Sequence, residues 1–236
     1  MTALKQSLRK NWLLILVNLG ALLPFVWLAW QNSLGNLIDP VDAFTEFTGK
    51  GAIILLMLGL SCTPANTIFG FRSALKVRKT LGLYTFGYAA LHLLVFIGLD
   101  YGFNLDFILQ DALLKKPYII VGFSALMILL PLAITSTKGW MKRLGRNWKR
   151  LHRLVYVAAV LAVIHFLWLV KFDLSEPLIF ATILTVLLVV RIPPIRRRLS
   201  IQRRRQSSKR TTPAQMNAGG TSNMVPATVR VQSKSG

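Results

Sequence analysis

The chain has 236 residues, of which 53% are hydrophobic and 16% charged, against about 25% charged in an ordinary soluble domain. Lysine and arginine outnumber aspartate and glutamate 29 to 8, a net charge of +21; in a polar chain this would point to nucleic acid, but here the apolar content excludes that reading. Six apolar stretches of about 20 residues would occupy about half the chain and leave no room for a soluble catalytic domain.

Apolar runs bounded by breakers predict spans near 12–31, 50–68, 80–99, 117–136, 153–171 and 177–192. The expected class is therefore all-α: a polytopic membrane protein built as a six-helix transmembrane bundle over residues 1–192. The first span follows Lys5, Arg9 and Lys10, contains Pro24 and lacks a small-x-small cleavage site, so it is expected to stay uncleaved. Of the 29 basic residues, 25 fall before span 1, between spans 2 and 3, between spans 4 and 5, and from Arg191 onward. The other side holds Lys50, Lys115, Lys116 and Lys171 with all eight acids, Asp39, Asp42, Glu46, Asp100, Asp106, Asp111, Asp173 and Glu176. Positive charge concentrates in cytoplasmic segments, so both termini are expected in the cytoplasm. Residues 193–236 are rich in Arg, Ser, Gly and Thr and poor in apolar residues, which predicts a disordered basic tail lying against anionic headgroups. No internal repeat of residues is visible.

An ionisable side chain inside a span costs free energy unless it is paired or ligated, so each one is a candidate functional residue. The chain has three histidines: His92 in span 3, His165 in span 5, and His152 at the basic mouth of span 5. At about 1.5 Å of rise per residue, His92 and His165 both lie about 18 Å from the basic surface and are level with each other. Two neutral imidazoles at one depth on two helices suit axial coordination of a heme iron; on spacing and depth alone they would equally suit two histidines satisfied by backbone or hydroxyl groups inside the bundle. With one cysteine, Cys62, and no CxxCH, such a heme would be b-type. Small residues at Ala89, Thr85, Ala162 and Ala158 share faces with the two histidines and leave room for a flat ring, while Tyr88 and Leu161 narrow the strip and Tyr88 would either crowd the ring or stack on its edge; the same small residues would equally suit close helix packing. His152 and His165 are 13 residues apart, roughly 140° around an ideal helix, and need not face one seam.

At these residues the chain resembles the ferric-reductase-like transmembrane family. Within it, LLPFVWLAW (22–30), DPVDAFTEFTGKGA (39–52), LGLYTFGYAALHL (81–93), KPYIIVGF (116–123), LAITSTKGW (132–140) and LGRNWKRLHRLVYVAAVLAVIHFLW (144–168) are similar to the heme-binding membrane subunits of periplasmic protein-methionine-sulfoxide reductase systems. The resemblance implies a bacterial inner-membrane protein carrying heme b and, in some members, FMN. It implies electrons taken from the quinone pool, or from a cytoplasmic flavoprotein, and passed to a periplasmic molybdopterin-containing enzyme that reduces protein methionine sulfoxide. The catalytic site would then lie on the partner, with the two subunits forming a heterodimer. By position, His92, His152 and His165 stand where the family's heme-associated histidines stand. The resemblance thus implies a bis-histidine heme at His92 and His165, with His152 as a third candidate iron ligand beside a cytoplasmic-side cofactor.

The chain departs from two-heme members of the family at Lys79 and Arg78, which occupy the places of a further histidine before His92. No GxGxxG turn follows Arg191, so the nicotinamide-binding fold that would supply electrons directly is not expected here. The seven basic residues from Lys138 to Arg153 are a candidate contact for a flavin phosphate, or simply positive-inside charge. The outer acids Asp39, Asp42, Glu46, Asp106 and Asp111 are a candidate docking surface for the periplasmic partner. Two other classes of function compete with the heme carrier. One is a transporter-like bundle with a histidine proton relay, disfavoured because its apolar cores lack carboxylates; the other is a membrane anchor without redox activity, which has little use for level histidines.

Overall fold

The computed structural model describes residues 2–111, 115–170, 173–192, 194 and 201. The expected basic tail, apart from residues 194 and 201, and Lys171 lie outside the described residues. In chain order the structure contains α1 (Thr2–Ser33), α2 (Pro40–Phe69), α3 (Ala74–Val95) and a π-helical turn (Phe96–Asp100) that continues α3. There follow α4 (Leu105–Gln110), α5 (Tyr118–Ile134), α6 (Lys138–Leu144), α7 (Arg146–Leu151), a 3-10 turn (His152–Leu154), α8 (Val155–Leu169) and α9 (Ser175–Val189). No strand occurs among the described residues.

Four helical segments are long and apolar enough to cross a bilayer: Asn11–Ser33, Pro40–Phe69, Ala74–Asp100 and Arg146–Leu169. A fifth is formed if α5 and α6, bent by 94° at their junction, count as one. The sixth expected span is the 15-residue helix α9, which rises about 22 Å, less than the roughly 30 Å of a hydrocarbon core.

Helix α2 begins ten residues before the apolar run predicted it. The Asp39 carboxylate accepts the Asp42 N–H at 3.0 Å, and Pro40 occupies the first helical position, where no N–H is needed. The charged stretch from Asp42 to Lys50 is therefore helical. At the other end Gly70 adopts φ 75° and its N–H closes on the Asn66 carbonyl, a left-handed stop that glycine takes without steric cost. After three intervening residues α3 starts, so α2 and α3 form an antiparallel hairpin; α5 and α8 form a second pair. Helix α1 packs on α3, and α9 packs on α2 and α8.

Two apolar cores hold this arrangement. One joins α1, α2 and α3 through Ala21, Leu55, Cys62, Val77, Leu81 and Tyr88. The other joins α2, α8 and α9 through Leu56, Leu60, Ala159, Val163 and Leu184. Cys62 is buried and serves as a small packing residue. The outward faces are also apolar, as at Leu16, Leu23, Trp27 and Trp30 of α1; hydrocarbon requires this, since lipid cannot solvate polar groups. The two ends of the bundle differ in charge: one carries the eight acids, the other most of the described basic residues. At the acidic end Lys50 of α2 bridges Glu46 and Glu176 at 2.7 Å each, which ties α9 to α2.

Candidate functional site

His92 sits near the acidic end of α3, where its Nδ1 lies 2.9 Å from the main-chain carbonyl of Thr45 on α2. His165 sits near the acidic end of α8, with Nδ1 2.8 Å from the carbonyl of Tyr118 at the start of α5. A carbonyl oxygen only accepts, so Nδ1 must donate in both rings and Nε2 keeps its lone pair. Both are thus set in the tautomer that a metal-ligating histidine adopts. The Thr48 hydroxyl lies 3.4 Å from Nδ1 of His92 but donates to the Phe44 carbonyl at 2.6 Å.

Each ring also lies against a glycine. A Cβ on Gly49 would stand 3.1 Å from Cε1 of His92, and one on Gly122 would stand 2.7 Å from Nδ1 of His165. Only a residue without a side chain lets the flat ring approach the neighbouring helix so closely.

The two imidazole centres are 6.4 Å apart with their planes 81° to each other. Two metal–nitrogen bonds of about 2 Å, each extended by about 1 Å from nitrogen to ring centre, separate a pair of axial imidazoles by about 6 Å. Among the described residues no group of three or more His, Cys, Asp or Glu side chains could hold a metal ion. The pair therefore suits a metal that brings its own equatorial ligands, as a porphyrin does.

The two halves of this site repeat each other. His92 follows its carbonyl partner Thr45 by 47 residues, and His165 follows Tyr118 by 47 residues. Adding 73 to a residue number in the first hairpin gives its counterpart in the second: 45 to 118, 49 to 122 and 92 to 165. Few residues between them coincide at this offset, among them Ala52 with Ala125, Leu56 with Leu129 and Ala89 with Ala162, so the repeat is chiefly one of structure.

Tyr88, expected to crowd a ring or stack on its edge, does neither to His92 or His165. Its hydroxyl donates to the Ala21 carbonyl of α1, and its ring packs with Phe25 and Phe47 in a notch left by Gly51. Thr85 and Ala158 are buried.

The structure does not bring His152 to the other two histidines. It begins the 3-10 turn, whose 120° per residue adds about 60° of rotation over three residues relative to an α-helix, narrowing its angle to His165 without closing the axial gap. Its ring stacks on Trp148, centres 4.0 Å apart at 29°, and its Nδ1 lies 3.2 Å from the Trp148 carbonyl. The Trp148 indole in turn donates to the Thr135 carbonyl at 2.9 Å, which anchors α7 to the end of α5. His152 Nε2 is buried without a hydrogen-bond partner.

That nitrogen belongs to a residue lining a cavity of about 340 Å³ at the basic end. The cavity obeys the same 73-residue correspondence: Leu56 with Leu129, Leu75 with Trp148, Lys79 with His152 and Gly82 with Val155 all line it. It contains neither His92 nor His165.

At the acidic end the outer acids are unequal. Asp39 caps α2, Glu46 pairs with Lys50, and Asp111 accepts from Tyr101 at 2.7 Å and pairs with Lys115 and Lys116. The Tyr101 hydrogen bond, then Lys115, hold the Asp111 carboxyl below the usual carboxylate range. Asp42 and Asp106 are exposed.

Sequence reasoning did not find Thr45, Tyr118, Gly49 or Gly122. Thr45 and Tyr118 act through main-chain carbonyls, which every residue has. The glycines had a usable signal, since each stands the same distance before its histidine.

Residues 48–163 match the family described as ferric reductase like transmembrane component. Over 189 residues the chain is 48% identical to the protein-methionine-sulfoxide reductase heme-binding subunit MsrQ of Rhodospirillum rubrum, covering 79% of this chain and 90% of that protein. It is 44% identical over 208 residues to the subunit of the same name from Xanthomonas euvesicatoria pv. vesicatoria, covering 84% of this chain and 91% of the relative. The Xanthomonas axonopodis pv. citri subunit gives the same identity and coverage.

Proposed function

The chain belongs to the MsrQ family of protein-methionine-sulfoxide reductase heme-binding subunits, and on that premise we propose that His92 and His165 would hold a b-type heme in a multi-pass electron-transfer subunit. The heme supplies one-electron chemistry when bound. The protein supplies the two Nε2 ligands, holds each ring by a carbonyl and a glycine, and keeps the site in a low dielectric.

The observation that carries this reading is the matched pair of rings, each with Nδ1 committed to a carbonyl and their centres 6.4 Å apart. In this reading the basic end is cytoplasmic and the acidic end periplasmic, as the distribution of lysine and arginine favours. Both termini then lie in the cytoplasm of a bacterial inner-membrane protein, and α9 completes six crossings. Electrons enter at the basic end, from the quinone pool or from a flavoprotein or FMN held against the turn from Lys138 to Arg153. They leave at the acidic end to a periplasmic molybdopterin-containing methionine sulfoxide reductase, whose own site carries out the reduction. His152 is not one of the two ligands; Lys79 takes the place that a matching imidazole would occupy.

The test is the absorption spectrum of detergent-purified protein before and after dithionite. A reducible b-type Soret and α band is expected, and it is expected to be lost in His92→Ala and His165→Ala while both variants remain monodisperse. Colourless protein from heme-replete cells would refute the reading, as a proton relay or a bare anchor would give. A spectrum unchanged in both variants would refute the ligand assignment.

A further inference from the structure

The two halves of the site match in carbonyl, glycine and histidine, but a hydroxyl faces only one of the rings. Thr48 is fully buried, stands directly before Gly49 on α2, and places its Oγ1 3.4 Å from Nδ1 of His92. On α5 the residue at the corresponding place, three after Tyr118 and directly before Gly122, is Val121. Threonine and valine have nearly the same shape, so at this place the two halves differ by one oxygen.

The hydroxyl's own hydrogen fixes which way that oxygen acts. It goes to the Phe44 carbonyl at 2.6 Å, with the Thr45 carbonyl next at 3.2 Å, the back-bonding usual for a threonine within a helix. A hydroxyl has one hydrogen, so toward His92 this one can only accept. The Nδ1 hydrogen of His92 is therefore shared between the Thr45 carbonyl at 2.9 Å and the Thr48 oxygen at 3.4 Å, a three-centre arrangement. Donating to Phe44 makes the hydroxyl a better acceptor, because linked hydrogen bonds polarise one another. The carbonyl contacts of the two rings are alike, 2.9 and 2.8 Å; Val121 has no oxygen to add to the second.

We propose that Thr48 is a positioning residue that makes His92 the stronger electron donor of the two imidazoles, so that an iron held by the pair is bound unequally, more firmly from α3 than from α8. The inference rests on the ligand reading above and adds a residue that sets its reduction potential. Drawing the Nδ1 hydrogen toward a second oxygen gives the ring imidazolate character, strengthens donation from Nε2 and favours the ferric state. Thr48 thus holds the potential down, and Val121 leaves His165 the weaker ligand.

The experiment uses the full chain in lipid nanodiscs and reads the heme midpoint potential by spectroelectrochemical titration. Thr48→Val removes the oxygen and keeps the shape, and should move the midpoint to more positive values. Thr48→Ser keeps the hydroxyl and should stay near wild type. Val121→Thr supplies the missing oxygen to His165 and should move the midpoint to more negative values. An unmoved midpoint in Thr48→Val, or the same shift in Thr48→Ser, would overturn the proposal. So would a midpoint that fails to fall in Val121→Thr. A second readout needs no heme. In heme-free protein carrying isotope-labelled histidine, the Nδ1 proton resonance of His92, assigned by its absence from His92→Gln, should move upfield in Thr48→Val. That shift in protein that never takes up heme would support the contact and sink only the ligand reading; an unmoved resonance would sink the role given to Thr48 whatever the heme does.

Discussion

Arg191, two residues past the end of α9, donates to the main-chain carbonyl of Leu60 in the middle of α2. That carbonyl is the one whose helical partner would be residue 64, and residue 64 is a proline without an N–H. The same guanidinium donates to the Tyr156 hydroxyl and lies over the Tyr156 ring, 4.9 Å from its centre. One arginine thus satisfies the gap that Pro64 opens and closes α2, α8 and α9 together at the basic end, as Lys50 and Glu176 do at the acidic end.

This relationship can be tested by a double-mutant cycle. Arg191→Gln should destabilise the fold by about 1–3 kcal/mol, the usual cost of a buried polar group left unpaired. In the Pro64→Ala background the restored N–H gives the Leu60 carbonyl a partner, so the same substitution should cost less. Thermal unfolding of the four proteins in one detergent measures the coupling; equal costs in both backgrounds would show that the proline gap is not what Arg191 serves.

The two glycine cradles should respond differently to an added methyl. In Gly122→Ala the Cβ would stand 2.7 Å from the His165 ring, which must move; in Gly49→Ala it would stand 3.1 Å from His92, and a shift of a few tenths of an ångström suffices. Gly122→Ala is therefore expected to alter the heme spectrum, read as electron-paramagnetic-resonance g values, more than Gly49→Ala. The reverse order would contradict the geometry.

Asp111 gives a pH dependence of known sign. Its carboxyl is held below the ordinary value of about 3.9. The contribution of its contacts to Tyr101, Lys115 and Lys116 is thus complete above that value and is lost as pH falls through the depressed one. The thermal midpoint should fall on acidification below about pH 4, and Asp111→Asn should flatten that limb of the profile.

The exposed acids Asp42 and Asp106 are the remaining candidates for docking a periplasmic partner, since Asp39, Glu46 and Asp111 are engaged within the chain. Asn substitutions at both should slow reduction of the partner more at low salt than at high salt. A change without salt dependence would remove docking electrostatics as the cause.

Much of the protein was legible before any coordinates. The bilayer imposes long apolar helices, and the charge asymmetry between the two ends is written in composition, as is the equal depth of His92 and His165. Helix limits were less legible. Charged residues hid the first ten residues of α2, because Asp39 and Pro40 start a helix whatever polarity follows. The apolar run near 177–192 is 16 residues, so the shortness of α9 was already legible; only its start, two residues earlier, was not.

What residues and their spacing determined, then, is the class of the protein, the charge of its ends and the level placing of His92 and His165, since hydropathy and helical rise act locally along one chain. The tertiary structure alone decided which ring nitrogen is free, which carbonyl and glycine hold each ring, and that Lys79 and His152 line one cavity. Those outcomes depend on the rotation and tilt of one helix against another. They are made largely through main-chain oxygens and missing side chains, which no residue type announces.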